Sequence, residues 1–237
     1  MTVAKTSEKM SSGFEGEGYT EKYFASYQND LKRQAQYKKE LSRIESFVSS
    51  GQILDVGCGL GGFLDCFDST RWKKYGVDVS EIAIEEARKK GIHVNNFENA
   101  YDYPDSFFDV IIFRGSIQLI PDPFAVLLKC RSLLKPNGLI VFLATPNSNS
   151  PYYKRFGTLP ILTPHLNYLI PSDLMLTNIL KNLGFNVARI HFPYIDGPYA
   201  RPLLDHVFYL LSFFGLKKKF AFWKSVMEVY AFKRTEN

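Results

Sequence analysis

The chain has 237 residues, enough for one core of ordinary size with appendages, and its 46% hydrophobic and 22% charged composition excludes a disordered or fibrous protein. Its formal charge of +5 is spread among interspersed acids rather than gathered into one block, so charge gives no ground for a nucleic-acid partner. Cys58, Cys66 and Cys130 lack CxxC spacing, which excludes a disulfide framework or zinc cluster; with no apolar leader and no uninterrupted apolar window of about 18 residues, a cytoplasmic protein without a transmembrane segment is expected.

Residues 1–18 are rich in Ser, Gly, Lys and Glu, bury little, and are expected to form a flexible N-terminus. From Glu21 to Val48 the apolar residues Tyr23, Phe24, Tyr27, Leu31, Tyr37, Leu41, Ile44 and Phe47 recur at threes and fours, which predicts an amphipathic helix with room for one break. The period then shortens. Seven apolar runs, "QILDVG", "KKYGVDV", "IHVNN", "DVIIFRG", "GLIVFLA", "FNVARIHF" and "SVMEVYAFK", read as strands. Helical patterns separate them: "SEIAIEEARKK" has Ser80 as N-cap and basic residues before Gly91, and "PDPFAVLLKCRSLLKPNG" is expected to run to its stop signals at Pro136 and Gly138. Alternation over residues 51–144 predicts an α/β fold, a mostly parallel sheet with helices on both faces.

After Thr145 about twenty-five irregular residues intervene, a length more often functional than idle. Helix resumes at "PSDLMLTNILKNLG", and a second insertion, roughly Pro193 to Phe222, interrupts the last two strands. Within it "FYLLSFFGLKKKFAFW" is expected to pack on the core as a helix followed by a solvated lysine turn. The other readings of that run are peripheral contact with a membrane surface and pairing of two chains into a homodimer.

The stretch "ILDVGCGLGGFLD" carries the sharpest chemical signal. Gly57, Gly59 and Gly62 satisfy G-x-G-x-x-G after a strand, and Asp78 ends the next one, which alone admits a dinucleotide. Asp55, however, places a carboxylate beside the turn, where it would repel a pyrophosphate and welcome a cation. S-adenosylmethionine carries an ammonium and a sulfonium, no phosphate, and a ribose for an acceptor such as Asp78, with Val79 against its adenine.

"LDVGCGLGGFL", "YGVDVSEIAIEEAR", "DSFFDVIIF" and "LLKPNGLIVFLATPN" together resemble, in order, the motifs of class I S-adenosylmethionine-dependent methyltransferases, over roughly residues 50–147. The resemblance implies a Rossmann-like seven-stranded sheet whose last strand is antiparallel, and S-adenosylhomocysteine as product. It implies that Gly57, Cys58, Gly59 and Gly61 form the loop at the methionine part, with Asp55 beside it and Asp78 on the ribose. Asn96 and Phe97 would meet the adenine, Arg114 and Gly115 would face the methionine end, and Tyr19 and Tyr23 would belong to a helical lid. Cys58 itself reads as a small filler, and Asp109 as satisfying neighbouring backbone. The expected plan is a flexible 1–18 and a single domain over 19–237, divided into a lid (19–50), a cofactor-binding core (51–147) and acceptor loops, insertion and last strands (148–237).

Methyl transfer from a sulfonium is an in-line displacement, so the protein must align the acceptor; a hydroxyl also needs a base, whereas an amine need only arrive deprotonated. "TPHLNYLIPSDLMLTNILKNLGF" resembles the HLNY element of methyltransferases of polysaccharide and other small-molecule pathways, and His165 within it is the candidate base. His93, His191 and His206 read as structural. Where many relatives have a Glu-His pair, this chain has Gln118 and Leu119, which excludes a base or metal-binding carboxylate there; Ser116 and Gln118 remain hydrogen-bonding candidates for the acceptor. Asn147, Asn149, Tyr152, Tyr153, Arg155, Tyr168, Tyr194 and Tyr199 are expected to build an acceptor wall of aromatic faces and polar tips that suits a sugar. The expected activity is O-methylation of a sugar or similar small metabolite of surface-glycan biosynthesis. The alternatives are N-methylation of a small amine and cofactor binding without turnover; nucleic-acid methylation is opposed by the charge and by the lack of an N/D-P-P-Y/F element.

Overall fold

The structure, a computed structural model, describes residues 30–96, 99–162, 166–195, 197, 199–216 and 218–235. The expected positions Tyr19, Tyr23, Phe97 and His165 lie outside these residues. Helix α1 (Leu31–Glu45) starts where the Asp30 carboxylate accepts hydrogen bonds from the backbone N–H groups of Lys32 and Arg33. It is followed by β1 (Gly51–Val56), β2 (Trp72–Val77), α2 (Glu81–Lys89), β3 (His93–Asn95), β4 (Phe108–Arg114), α3 (Pro123–Leu133) and β5 (Leu134–Pro146). The remainder comprises α4 (Pro151–Phe156), α5 (Asp173–Asn182), β6 (Phe185–His191), α6 (Pro202–Leu211) and β7 (Val226–Lys233).

All seven predicted strands join one sheet of order β3-β2-β1-β4-β5-β7-β6, in which β7 alone runs antiparallel to its neighbours. The period of two along each strand divides the core. Ile53, Val110, Ile112, Val141 and Tyr230 face α1 and α2, whereas Leu54, Ile111, Phe113, Phe142 and Val229 face α3 and α5. Asp55 and Arg114 have the parity of the α1 face, so both emerge at strand ends beneath that helix. Asp109 accepts from the Gln52 backbone N–H at 2.8 Å and pairs with Lys135 at 2.8 Å, a role of holding strands together.

Two expectations need correction. Helix α3 stops at Leu133, short of Pro136, because Leu134 already pairs with Phe108; the chain then bulges through Asn137 at φ 59° before pairing resumes at Leu139. The insertion helix α6 packs on the core only through part of its surface. Phe208 and Tyr209 join Tyr152, Phe220 and Phe222 in a small aromatic cluster, but most leucines of α6 face outward. The irregular connection after β5 also contains α4, capped by the Ser150 hydroxyl and ended by Gly157. No helix among the described residues is long and apolar enough to cross a membrane.

Candidate active site

A cavity of about 1630 Å³ opens over the carboxyl ends of β1, β2 and β4, where an open parallel sheet presents its loops. Its floor is the turn from Val56 to Gly59. Gly57 has φ +84°, and a Cβ there would lie 2.6 Å from the Ser116 Cβ, so the turn can approach the β4 loop only without a side chain; the Ser116 hydroxyl donates to the Val56 carbonyl. Gly59 has φ +53° and open space where a Cβ would point, which leaves its backbone bare toward the cavity.

Three acids meet this floor. Asp78 takes the Gly59 N–H on one carboxylate oxygen at 2.7 Å and those of Val79 and Ser80 on the other at 2.9 and 3.0 Å. It therefore braces the glycine loop against the start of α2 while still lining the cavity. Burial raises its pKa from the ordinary value, and the three N–H bonds oppose that rise. Glu40 of α1 is buried and pairs with the Arg114 guanidinium at 2.7 Å. Arg114 also lies over the Tyr37 ring, 4.4 Å from its centre. Burial would depress the guanidinium, but Glu40, Tyr37 and Asp55 hold it above its ordinary value.

Asp55 is the third, and burial pushes its carboxyl up to about 7; Arg114 counteracts this, while Asp78 and Glu40 add to it. Its Oδ1 is buried without a hydrogen-bond partner among the described residues. Leaving an acceptor of this kind unpaired is costly unless a ligand donor meets it. Cys58 is buried, and its thiol pKa is raised well above ordinary by burial and by Asp78 and Asp55, so it fills space beside Gly76 as expected.

Of the residues singled out in the sequence, Asp55, Gly57, Cys58, Gly59, Asp78, Val79, Arg114, Gly115, Ser116, Gln118, Tyr194 and Tyr199 line this one cavity. Gly61 does not, since the space above it is closed by Ile92 and Ala87. Asn96 accepts from the Asn99 N–H outside the cavity. Asn147 is fully buried, accepting from the backbone of Asn149 and Asp173; Asn149 in turn donates to the Asp173 carboxylate. Tyr152 and Tyr153 pack in the aromatic cluster of the insertion, Arg155 donates to the Ser212 carbonyl, and Tyr168 points to the surface. The tyrosine wall expected for a sugar is thus reduced to Tyr194 and Tyr199, because packing of the insertions consumes Tyr152 and Tyr153 and Tyr168 faces solvent.

Sequence reasoning singled out neither Gln36, Tyr37 and Glu40 on α1 nor, within the insertion it assigned to the acceptor, Lys219 to Phe222, all of which line the cavity. Glu40 left a trace: it stands three residues after Tyr37 and four before Ile44, on the apolar stripe of its own helix.

The methyltransferase-domain family matches residues 27–190, well over half of the chain. The chain belongs to that family. Its membership makes S-adenosylmethionine the cofactor, and the site fits that molecule through the unpaired Asp55 oxygen, the bare glycine turn and the cavity-facing Asp78. Similarity extends to a ubiquinone biosynthesis O-methyltransferase of Thiobacillus denitrificans, 34% identical over 45% of this chain and 49% of that one. An aklanonic acid methyltransferase of a Streptomyces strain is 29% identical over 58% of this chain and 64% of its own length. The chain thus spans about half to under two thirds of these relatives. In fold it is similar to a crystallised SAM-dependent methyltransferase of Archaeoglobus fulgidus, with a TM-score of 0.63 at 22% identity, covering 89% of this chain and all of that one.

Proposed function

We propose that the chain transfers the methyl group of S-adenosylmethionine to a hydroxyl of a small aromatic, acidic metabolite, such as a phenol or hydroxybenzoate. The observation that carries this reading is the division of charge in the cavity. Its acids, Glu40, Asp55, Asp65 and Asp78, all belong to the cofactor half, where Lys32, Arg33, Lys38, Lys90 and Arg114 accompany them, whereas the wall from Pro193 to Val226 contributes the cations Arg201, Lys219 and Lys224 and, among the described residues, no acid to balance them. Apolar and aromatic side chains, Leu119, Ile120, Phe220 and Phe222, complete the wall. Cations near a phenol favour its ionised form, which is the nucleophile, and the same cations would repel an ammonium. This weighs against the amine acceptor.

On this reading Asp55 and the glycine turn hold the methionine end, Asp78 and Val79 the ribose and adenine side, and Gln118 the acceptor. The Gln118 amide donates to the Gly115 carbonyl at 2.8 Å, and its Oε1 is buried without a partner among the described residues. The bound cofactor supplies the activated carbon; the chain aligns the acceptor and keeps water out. His165, adjacent in sequence to the cavity-lining Leu166, is the side chain this reading assigns as base. The relatives' names, one an O-methyltransferase of ubiquinone biosynthesis and one a methyltransferase of aklanonic acid, support a small acidic or hydroxylated acceptor over a surface glycan.

The test is a turnover screen that follows release of S-adenosylhomocysteine from phenols, hydroxybenzoates, amines and nucleotide sugars. Turnover confined to phenolic hydroxyls is expected. Replacing His165 with Gln should lower kcat by about 10²-fold or more with cofactor affinity unchanged. Methylation of an amine instead, or turnover indifferent to the His165→Gln change, would refute the assignment.

A further inference from the structure

Helix α6 is amphipathic the wrong way round for a helix that belongs to a core. Leu203, Leu204, Val207, Leu210 and Leu211, followed by Phe214, recur at the spacing of one helical stripe, and that stripe faces solvent. Leu203 is 86% exposed, Leu210 63% and Phe214 88%. Two polar residues face inward: Asp205 is buried, accepting from the Tyr194 hydroxyl at 3.1 Å and the Arg201 N–H at 2.7 Å, and Ser212 is buried beneath, while His206 stays exposed. Tyr209 stacks on Phe222 with ring centres 4.3 Å apart. These contacts fix the roll of the helix, so the leucine stripe cannot turn inward without unpairing Asp205. A continuous exposed apolar face of this kind marks an interaction surface.

Charge around the face says what it meets. Between positions 201 and 224 the sequence has five Lys and Arg residues against one acid, and that acid is the inward Asp205. Cations are held at the rim over aromatic rings: Lys218 is 4.4 Å from the Phe208 ring centre, Lys224 lies 4.8 Å from Phe192 and 4.9 Å from Trp223, and Arg155 is 4.7 Å from Phe213. A leucine stripe edged by lysines and a half-exposed tryptophan complements a bilayer surface, with acyl chains for the stripe and anionic headgroups for the rim. We propose that α6 and the turn after it dock this protein onto an anionic membrane surface. Residues 199–201 at one end of α6 and 219–222 with Lys224 beyond its other end line the cavity, so docking would bring the acceptor wall to the interface. The proposal does not depend on which acceptor is methylated.

The full chain would be mixed with vesicles of phosphatidylcholine alone and with vesicles also containing phosphatidylglycerol, and bound protein separated by flotation. Binding at least about tenfold stronger to the anionic vesicles, weakened by salt, is expected. Of the two tryptophans Trp72 is buried, so Trp223 reports insertion through a blue shift in emission that Trp223→Phe removes. Leu210→Glu and Phe214→Glu should abolish vesicle binding while melting temperature and S-adenosylmethionine affinity stay as they are; Lys218→Glu should weaken it. The proposal fails if the full chain ignores anionic vesicles, binds neutral ones equally well, or binds undiminished with both glutamates in place. A dimer that Leu210→Glu dissociates, without vesicle binding, would assign the face to a second copy and overturn it as well. Vesicle binding and cofactor binding are read separately, so failure here leaves the methyltransferase reading standing.

Discussion

At Asp55 burial and ligand charge act in opposite directions, and the balance between them sets a pH dependence. Read from sequence, this residue is simply a negative charge beside the glycine turn. In the fold its carboxyl titrates at about 7 because it is buried, so its charge at neutral pH depends on what is bound. In the unfolded chain the same group would titrate near 3.9. Between those values the native state holds a proton that the unfolded state has lost, so stability of the ligand-free protein falls as pH rises from about 4 to about 7 and levels off above. A cationic ligand favours the carboxylate. S-adenosylmethionine should therefore bind more tightly as pH rises toward 7, by up to about tenfold per unit well below it, with release of a proton. Calorimetry in buffers of different ionisation enthalpy counts that proton, and thermal melts across the same range give the stability slope. Asp55→Asn should flatten both; a cofactor affinity independent of pH in the native protein would contradict the assignment.

Among the elements, α1 does the most to shape the cofactor end, through the buried pair of Glu40 and Arg114. A second brace lies on the same sheet face, where Arg43 meets Glu228 at 3.1 Å and Glu228 accepts from the Tyr230 hydroxyl. Removing one member of a buried pair leaves the other uncompensated in a poorly solvated place. Glu40→Ala should therefore destabilise the protein by about 3–5 kcal/mol in urea unfolding and weaken cofactor binding; a loss typical of an exposed ion pair, under about 1 kcal/mol, would show that water reaches Arg114. The strands were legible because a period of two, bounded by glycines and turns, has few other physical causes. Helix α6 was equally periodic yet misread. Periodicity shows that a helix has an apolar face, but not what covers it, and only the inward hydrogen bonds of Asp205 reveal that the leucines face out.

Across the whole molecule the cavity has two walls with different origins. The wall at the strand ends was legible because each part, residues 55–59, 78–79 and 114–116, lies at or just beyond the carboxyl end of a predicted strand, and parallel strands in one sheet must place such ends together. The opposite wall was legible only as two insertions expected to meet the acceptor; its individual residues, at 118–120, 160–161, 166–167, 193–194, 197, 199–201, 219–222 and 224–226, share no local pattern and meet only through tertiary packing. A polar link joins the N-terminus of α1 to the insertion: the Tyr199 hydroxyl donates to Asp30 at 2.8 Å, with Lys32 5.8 Å from the same ring centre. If the walls serve different ligands, they should respond separately. S-adenosylhomocysteine at about a hundred times its Kd should stabilise the protein by about 2.7 kcal/mol. Amide hydrogen exchange should then slow in the turn at 57–59, at Val79 and Ser80 and around Gly115, while α6 and residues 219–224 exchange as before. Adding a phenolic acceptor should protect the second set without further change in the first. Protection spreading through α6 with S-adenosylhomocysteine alone would instead mean that the walls close together, with Tyr199 and Asp30 as the connecting contact.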